Sequence, residues 1–214
     1  MPCELPSDEN CEESRIQWGF GGTSQANIFL DITTFLAAVK SCYDAVGSKI
    51  RRIQIQKILA AEDWFEQHRD RQTGRRVLSI SEAIIHDHEL RTSICLTQVN
   101  FDVLFAPDGM FKRGQKKFDV YLFKDHLIFE ADLKCISSVR PDTIAGRIRS
   151  GSEQASRVVV DIRSNIGSRD LIDGLRSGSE RNSLLKEIFL FYRGKFYILP
   201  TSLIWSKRIY QILR

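Results

Sequence analysis

The sequence predicts a mixed α/β fold, classed as α/β or α+β, in which helices flank a central mixed β-sheet. Two patterns carry this prediction. The spacing of apolar residues changes repeatedly between helical periodicity and strand alternation over residues 79–200, as expected when helices and strands interleave. The run RVVVDI at 157–162 is apolar almost throughout, which is typical of a strand buried on both faces. With 214 residues, 43% of them hydrophobic, the chain can bury one core of ordinary size.

The first third of the chain predicts a helical extension, residues 1–76, that begins with a flexible acidic lead. Apolar residues recur at helical spacing over 27–46 and again over 49–70, with Gly47 and Ser48 between the two runs. The polar stretch RQTGRR at 71–76 is a connector typical of a domain boundary. The remainder, residues 77–214, is predicted to be the domain that carries the chemistry.

Elements of the second domain follow from periodicity and from turn residues. Residues 79–99 predict a helix capped by Ser79 or Ser81. The segments that follow are a strand at 100–107, two strands at 117–123 and 126–135 that form a hairpin, a helix from Pro141 to Ser156, a strand at 157–162, a helix at 168–178, and a hairpin at 186–200 that turns at Arg193 and Gly194. The predicted order from residue 79 is α-β-β-β-α-β-α-β-β. Gly146 and Gly151 are unfavourable within the 141–156 helix.

Composition indicates a reducing compartment and no membrane span. The five cysteines are an odd number without a CxxC pair, so they are expected to be free thiols rather than a zinc site or a disulfide framework. No run of eighteen apolar residues is present. The acidic N-terminus lacks the pattern of a signal peptide. We therefore expect a cytoplasmic site of action.

Charge is distributed unevenly along the chain. Residues 112–214 hold 20 Lys and Arg against 11 Asp and Glu, whereas residues 1–111 hold 11 against 16. A basic half of this kind suits a polyanion such as nucleic acid. An ordinary solvated surface explains the same charge, and charge alone favours that simpler explanation.

The stretch HLIFEADLKC at 126–135 carries the most informative pattern. Alternation along a strand places Glu130, Asp132 and Lys134 on one face. Asp119 on the preceding strand lies opposite Glu130 if the connecting loop has two residues, and opposite Asp132 if it has four. Acids at this separation repel each other unless a cation neutralises them, and carboxylate oxygens suit Mg²⁺. An isolated Asp-x-Lys is nonetheless a common exposed strand face, with Lys134 paired to one of the two acids.

The order of these motifs resembles the PD-(D/E)xK nuclease superfamily, over about residues 82–200. Within that superfamily, it resembles the C-terminal nuclease (tRNase) domain of contact-dependent growth-inhibition (CdiA) toxins. The matching motifs are HEL at 88–90, FD at 118–119, DLK at 132–134, QA at 154–155 and RVVVDI at 157–162. Phe118 stands where the family has Pro. Glu130 adds a third acid, which leaves open whether Glu130 or Asp132 is the main ligand, although the spacing to Lys134 favours Asp132.

The resemblance implies a restriction-endonuclease-like αβββαβ core and metal-dependent hydrolysis of phosphodiester bonds in tRNA or DNA. The catalytic set it implies is Glu89, Asp119, Asp132, Lys134 and Gln154, with Mg²⁺ or Mn²⁺ held by Asp119 and Asp132 and completed by Glu89. The residues expected to grip the phosphate backbone are Lys112, Arg113, Lys116, Lys117 and Arg147. A toxin delivered to a target cell would have a cognate immunity protein as partner. The alternative is a catalytically inactive module of the same fold that binds nucleic acid or a protein.

A ribonuclease that works without metal is the competing enzyme class. Such enzymes place His, Lys or Arg pairs around the scissile phosphate. His126 is the only histidine near the central hairpin, and the clustered acids argue against this class. The sequence leaves the oligomeric state open.

Overall fold

The computed structural model describes residues 64–80, 83–106, 117–124, 127–180 and 182–214. The chain divides into two compact units. Of the described residues, the first unit holds 64–80, 83–106, 121–124 and 127–129, and we call it the N-terminal unit. The second holds 117–120, 130–180 and 182–214, and we call it the C-terminal unit.

The strands form a mixed sheet in sequence order. They are β1 (Trp64–Arg69), β2 (Arg76–Ile80), β3 (Asp102–Phe105), β4 (Val120–Lys124), β5 (Leu127–Ile136), β6 (Arg157–Ile162), β7 (Glu187–Tyr192) and β8 (Lys195–Pro200). Antiparallel pairs stand at both ends of this order, β1 with β2 and β7 with β8. The pairs β2 with β3, β5 with β6 and β6 with β7 are parallel. This mixed α/β architecture is the predicted fold class.

Five helices occur in the described part of the chain. They are α1 (Asp87–Gln98), α2 (Pro141–Gln154), α3 (Ser168–Ser179), α4 (Thr201–Ile204) and α5 (Ile209–Ile212). Within these same ranges, no helix has the length and apolar character that a membrane crossing needs. From α1 to β8 the order is α-β-β-β-α-β-α-β-β, as predicted. The short helices α4 and α5 were not predicted.

The C-terminal half of the chain follows its sequence pattern closely. Pro141 occupies the first turn of α2, where its missing N–H is tolerated. The last hairpin turns at Arg193 and Gly194, both at positive φ (51° and 70°), as a tight two-residue turn requires. The described cysteines, Cys95 and Cys135, form no disulfide bond, as expected. The predicted lead at 1–26 and the helix at 27–46 lie outside the described residues.

The predicted helix over 49–70 is wrong where the structure describes it. Trp64–Arg69 is a strand that pairs with β2, and Gln67 Nε2 donates to Ser79 Oγ across the pair at 2.8 Å. Asp70 forms the turn between them, because its Oδ1 accepts from the N–H groups of Gln72 and Thr73. Strand pairing supplied by a neighbouring segment therefore overrides the local helical pattern. The division at residue 76 remains a prediction.

The predicted helix over 79–99 begins later than expected. Ser79 belongs to β2, so it is not the helix cap. The helix begins at Asp87 after His86, whose N–H donates to the Glu89 carboxylate at 3.1 Å. Ile84, a predicted core residue, is 64% exposed. The helical spacing is thus incidental at 79–80, which end a strand, and at 83–86, which precede the helix.

An apolar core fills the C-terminal unit between its strands and its helices. It includes Ile144 and Ile148 of α2, and Val158 and Val160 of β6, all fully buried. The two long helices pack closely, since a Cβ atom added at Gly178 of α3 would lie 2.8 Å from Ile148 Cβ. This packing fixes α2 over the strands that carry the candidate site.

Arg176 of α3 anchors the C-terminal segment, so we expect Arg176→Ala to lower the free energy of unfolding by about 1–3 kcal/mol. Its guanidinium donates to the carbonyls of Ile204 (3.1 Å) and Ser206 (3.3 Å) and to the Tyr210 hydroxyl (3.0 Å). Urea unfolding measures the change, with exposed Arg169→Ala on the same helix as the control. Equal changes in the two variants would contradict the anchoring role.

Candidate functional site

Strand β5 directs two charged side chains towards the core rather than to solvent. In the parallel register with β6, Asp132 lies beside Val158 and Lys134 beside Val160. Both valines belong to the apolar core under α2, so neighbouring positions of β5 share that buried face. Asp132 is fully buried, and the Lys134 side chain is 15% exposed. The alternation predicted for this strand is confirmed, but its charged face is interior.

Asp119 lies immediately before β4 and is hydrogen-bonded to β5. Its Oδ2 accepts the backbone N–H of Leu133 at 2.7 Å, which places Asp119 next to the Asp132–Leu133 peptide. Of the two predicted registers, this bond agrees with the one in which Asp119 faces Asp132 rather than Glu130. Two carboxyl groups thus meet where the two strands lie side by side.

The environment of Asp132 disfavours its ionised form. Burial raises the pKa of Asp132 to about 7, and the neighbouring negative charge of Asp119 acts in the same direction. The Lys134 ammonium, with Nζ 2.5 Å from Asp132 Oδ2, opposes this rise without cancelling it. The carboxyl group therefore keeps its proton to a higher pH than an ordinary aspartic acid, and an additional cation would favour its ionised form.

The two oxygens of Asp132 have different surroundings. Oδ2 forms the ion pair with Lys134 but has no hydrogen bond of acceptable geometry among the described residues. Oδ1 faces Gln154 at the end of α2. The amide orientation that satisfies its neighbours has Gln154 Nε2 donating to Asp132 Oδ1 at 3.1 Å and to the Lys117 carbonyl at 2.7 Å. Gln154 therefore links the segment before Asp119 to the buried carboxyl group.

Glu89 belongs to the N-terminal unit, where its carboxylate accepts the His86 N–H at the start of α1. This is a capping contact that favours a negative charge at a helix N-terminus. Across the described ranges, no group of three or more His, Cys, Asp and Glu side chains is arranged to hold a metal ion. The role predicted for Glu89 as a third ligand stays a prediction.

The structure describes two of the five residues that are predicted to bind the phosphate backbone. Lys112, Arg113 and Lys116 lie outside the described residues, whereas Lys117 and Arg147 are exposed. Arg147 lies on the outer face of α2. Glu130, the third acid of the motif, is half-buried on β5.

Sequence reasoning missed the contribution of Gly151. This residue lies on α2, one turn before Gln154, and a Cβ atom built on it would stand 2.8 Å from Asp132 Oδ2. The signal was present in the sequence, since glycine within a helix is costly and needs a compensating reason. From the sequence alone, Gly151 indicates only a weaker helix.

The chain matches no protein-family model, no curated protein and no solved structure. A functional proposal must therefore rest on the geometry of the chain's own residues. That geometry is a buried carboxyl group next to a second carboxyl group, a lysine and a bridging amide. Such a set can bind a small hard cation and can hold an anionic substrate oxygen through the lysine.

Proposed function

We propose that this chain is a metal-dependent nuclease that hydrolyses phosphodiester bonds of nucleic acid, either tRNA or DNA, through a restriction-endonuclease-like core. One observation carries the proposal. Asp132 is fully buried beside the second carboxyl group of Asp119, and its pKa is raised to about 7. A buried acid next to a second, half-buried acid makes a site suited to neutralisation by a cation.

The side chains present fit Mg²⁺ or Mn²⁺ as the cation. Mg²⁺ in proteins is commonly bound through one or two carboxylates together with waters and substrate phosphate oxygens. Asp119 and Asp132 would supply those carboxylates, and the ion would replace the Lys134 ammonium, whose Nζ now lies 2.5 Å from Asp132 Oδ2. When bound, the ion would lower the pKa of a water molecule and neutralise phosphate charge.

Lys134 and Gln154 would act on the substrate and on the carboxylate respectively. The Lys134 ammonium, now paired with Asp132, can turn to a phosphate oxygen, because its side chain is partly exposed at 15%. There it would stabilise the charge that develops on the phosphorus oxygens, or orient the attacking water. Gln154 would hold the plane of the Asp132 carboxyl group through its bond to Oδ1.

Exposed basic residues would hold the nucleic-acid backbone. Lys117 lies two residues before Asp119, and Arg147 lies on the exposed side of α2. Each phosphate contact of this kind makes binding weaker as salt increases. The net positive charge of residues 112–214 acts in the same sense.

The proposed biological role is that of a toxin or effector domain acting in the cytoplasm of a target cell. A nuclease with this role requires a cognate immunity protein in the cells that make it. A small gene directly downstream whose product binds this chain and blocks cleavage would support the role.

A catalytically inactive module of the same fold is the second candidate, and the ion pair between Lys134 and Asp132 favours it. At 2.5 Å the lysine already compensates part of the buried charge, so the site can be stable as a purely structural pair. Such a module would bind nucleic acid or a protein partner without cutting.

Metal removal separates the two candidates. We expect the purified chain to cleave plasmid DNA or bulk tRNA in the presence of Mg²⁺ or Mn²⁺, and EDTA to abolish cleavage until the metal is restored. Gel electrophoresis of the products measures the activity. Binding without cleavage of either substrate would favour the inactive module and sink the nuclease proposal.

A further inference from the structure

We infer that Gly151 and Gln154, three residues apart on one side of α2, form a seat that positions the Asp132 carboxyl group. Gly151 gives one carboxyl oxygen room to lie against the helix backbone. Gln154 donates a hydrogen bond to the other oxygen. Both are positioning residues in this proposal, since they act on Asp132 and not on the substrate.

Close neighbours, and not the backbone conformation, restrict the size of the side chain at Gly151. A Cβ atom there would stand 2.8 Å from Asp132 Oδ2 and 3.0 and 3.1 Å from the two methyl carbons of Val158. Gly151 lies within the regular helix α2, and no positive φ requires a glycine at this position. Glycine in a helix interior is less stable than alanine by about 1 kcal/mol. The buried Asp132 carboxyl group explains why glycine stands at this position despite its lower helix stability.

Gln154 completes the seat through its amide. Its Nε2 reaches Asp132 Oδ1 at 3.1 Å and the Lys117 carbonyl at 2.7 Å. One residue of α2 thus ties the carboxyl group to the backbone just before Asp119. With Lys134 Nζ at Oδ2, the orientation of the carboxyl plane is fixed from three sides.

The helix pair α2 and α3 offers matched glycines as controls. Gly146 of α2 has nothing within 4 Å of an added Cβ, so Gly146→Ala tests helix propensity alone. Gly178 of α3 would place a Cβ 2.8 Å from Ile148, so Gly178→Ala tests crowding away from the carboxyl group. The three substitutions are chemically identical and differ only in what the new methyl group meets.

A double-mutant cycle in thermal unfolding tests the seat. Gly151→Ala is expected to lower the thermal midpoint by about 4 °C or more in the parent chain, because overpacking a buried site is destabilising. In the Asp132→Ala background the carboxylate is gone, so the same substitution should lower the midpoint by less than half as much. Gly146→Ala should shift the midpoint by the same amount in the parent as in the Asp132→Ala background, and so should Gly178→Ala, although the two shifts can differ from each other. An equal loss for Gly151→Ala in both backgrounds would overturn the inference, because Val158 alone would then explain the crowding.

If Gly151→Ala does not fold in the parent chain, its behaviour in the Asp132→Ala background and a second variant, Gln154→Leu, still test the seat. If Gly151→Ala folds only in the Asp132→Ala background, that rescue supports the seat. If it folds in neither, Gln154→Leu decides, because it keeps the size of the side chain and removes the donor. Gln154→Leu should lower the midpoint more in the parent than in the Asp132→Ala background, where only the bond to the Lys117 carbonyl remains to be lost. An equal loss in both backgrounds would reject the seat.

The effect of the seat on cleavage is measured as kcat and KM, and this experiment rests on the proposed nuclease function. Well below the midpoints, Gly151→Ala should lower kcat by about 10-fold or more with little change in KM. Gly178→Ala should keep the parent kcat although it is destabilised. A parent chain that does not cleave defeats the nuclease proposal, while the thermal cycle still judges the seat. Equal kcat in Gly151→Ala and the parent defeats its positioning role in catalysis.

Discussion

Asp132→Asn is expected to lower the rate of nucleic-acid cleavage by about 10²–10³-fold while the chain keeps its fold. The amide has nearly the same shape as the carboxyl group, so the contacts with Gly151 and Gln154 remain close to their present distances. The negative charge that would hold a divalent ion at this buried position is lost. Cleavage of plasmid DNA or tRNA at saturating Mg²⁺ measures the change, and circular dichroism checks the fold.

Lys134→Ala tests the same site from its cationic side and should cost a similar factor in cleavage. Exposed residues give matched controls: Asp142→Asn on α2 and Lys207→Ala near the C-terminus remove the same charges from solvated positions. Both controls should cleave at the parent rate. If Asp132→Asn or Lys134→Ala also cleaves at the parent rate, the proposed mechanism is wrong.

The grouping of side chains on β5 could be predicted from the sequence better than their surroundings. Alternation on β5 correctly assigned Asp132 and Lys134 to one face, because strand periodicity is a local property. It did not indicate that this face is covered, since burial depends on α2 packing over β6, many residues later in the chain. The same charges on an uncovered strand would be an ordinary solvated face.

Errors concentrated where contacts with other segments determine local structure. The helical spacing around Trp64 was overridden by pairing with β2, although the Asp70 turn and Gly74, at a φ of 69°, mark a hairpin. Gly151 was considered unfavourable for a helix, which is correct for an isolated helix. Only the packed structure shows that an added methyl group would meet Asp132. Local rules that fail in this way often fail at functional positions.

Stability should fall as pH rises towards 8, and Asp132→Asn should remove most of that fall. The pKa of Asp132 is raised from 3.8 to about 7 by burial and by Asp119, so the folded state binds a proton that the unfolded state releases. The stabilisation that this proton gives the folded state is complete below about pH 4 and declines as the pH rises. It is lost above about pH 7. A shift of about three units corresponds to roughly 4 kcal/mol. The neutral amide of the variant does not titrate, so the stability of the variant should change less between pH 5 and pH 8 than that of the parent.

Urea unfolding between pH 5 and pH 8 measures this dependence in the parent, in Asp132→Asn and in the exposed control Asp142→Asn. The control should follow the parent. Added Mg²⁺ at pH 8 should restore stability to the parent but not to Asp132→Asn, because a ligand stabilises only the state that binds it. Parallel pH profiles for the parent and Asp132→Asn would show that Asp132 is not the group that titrates. A site built in this way would be least stable when it is ready to bind a cation, so the same buried charge would cost the empty protein stability and provide affinity for the metal.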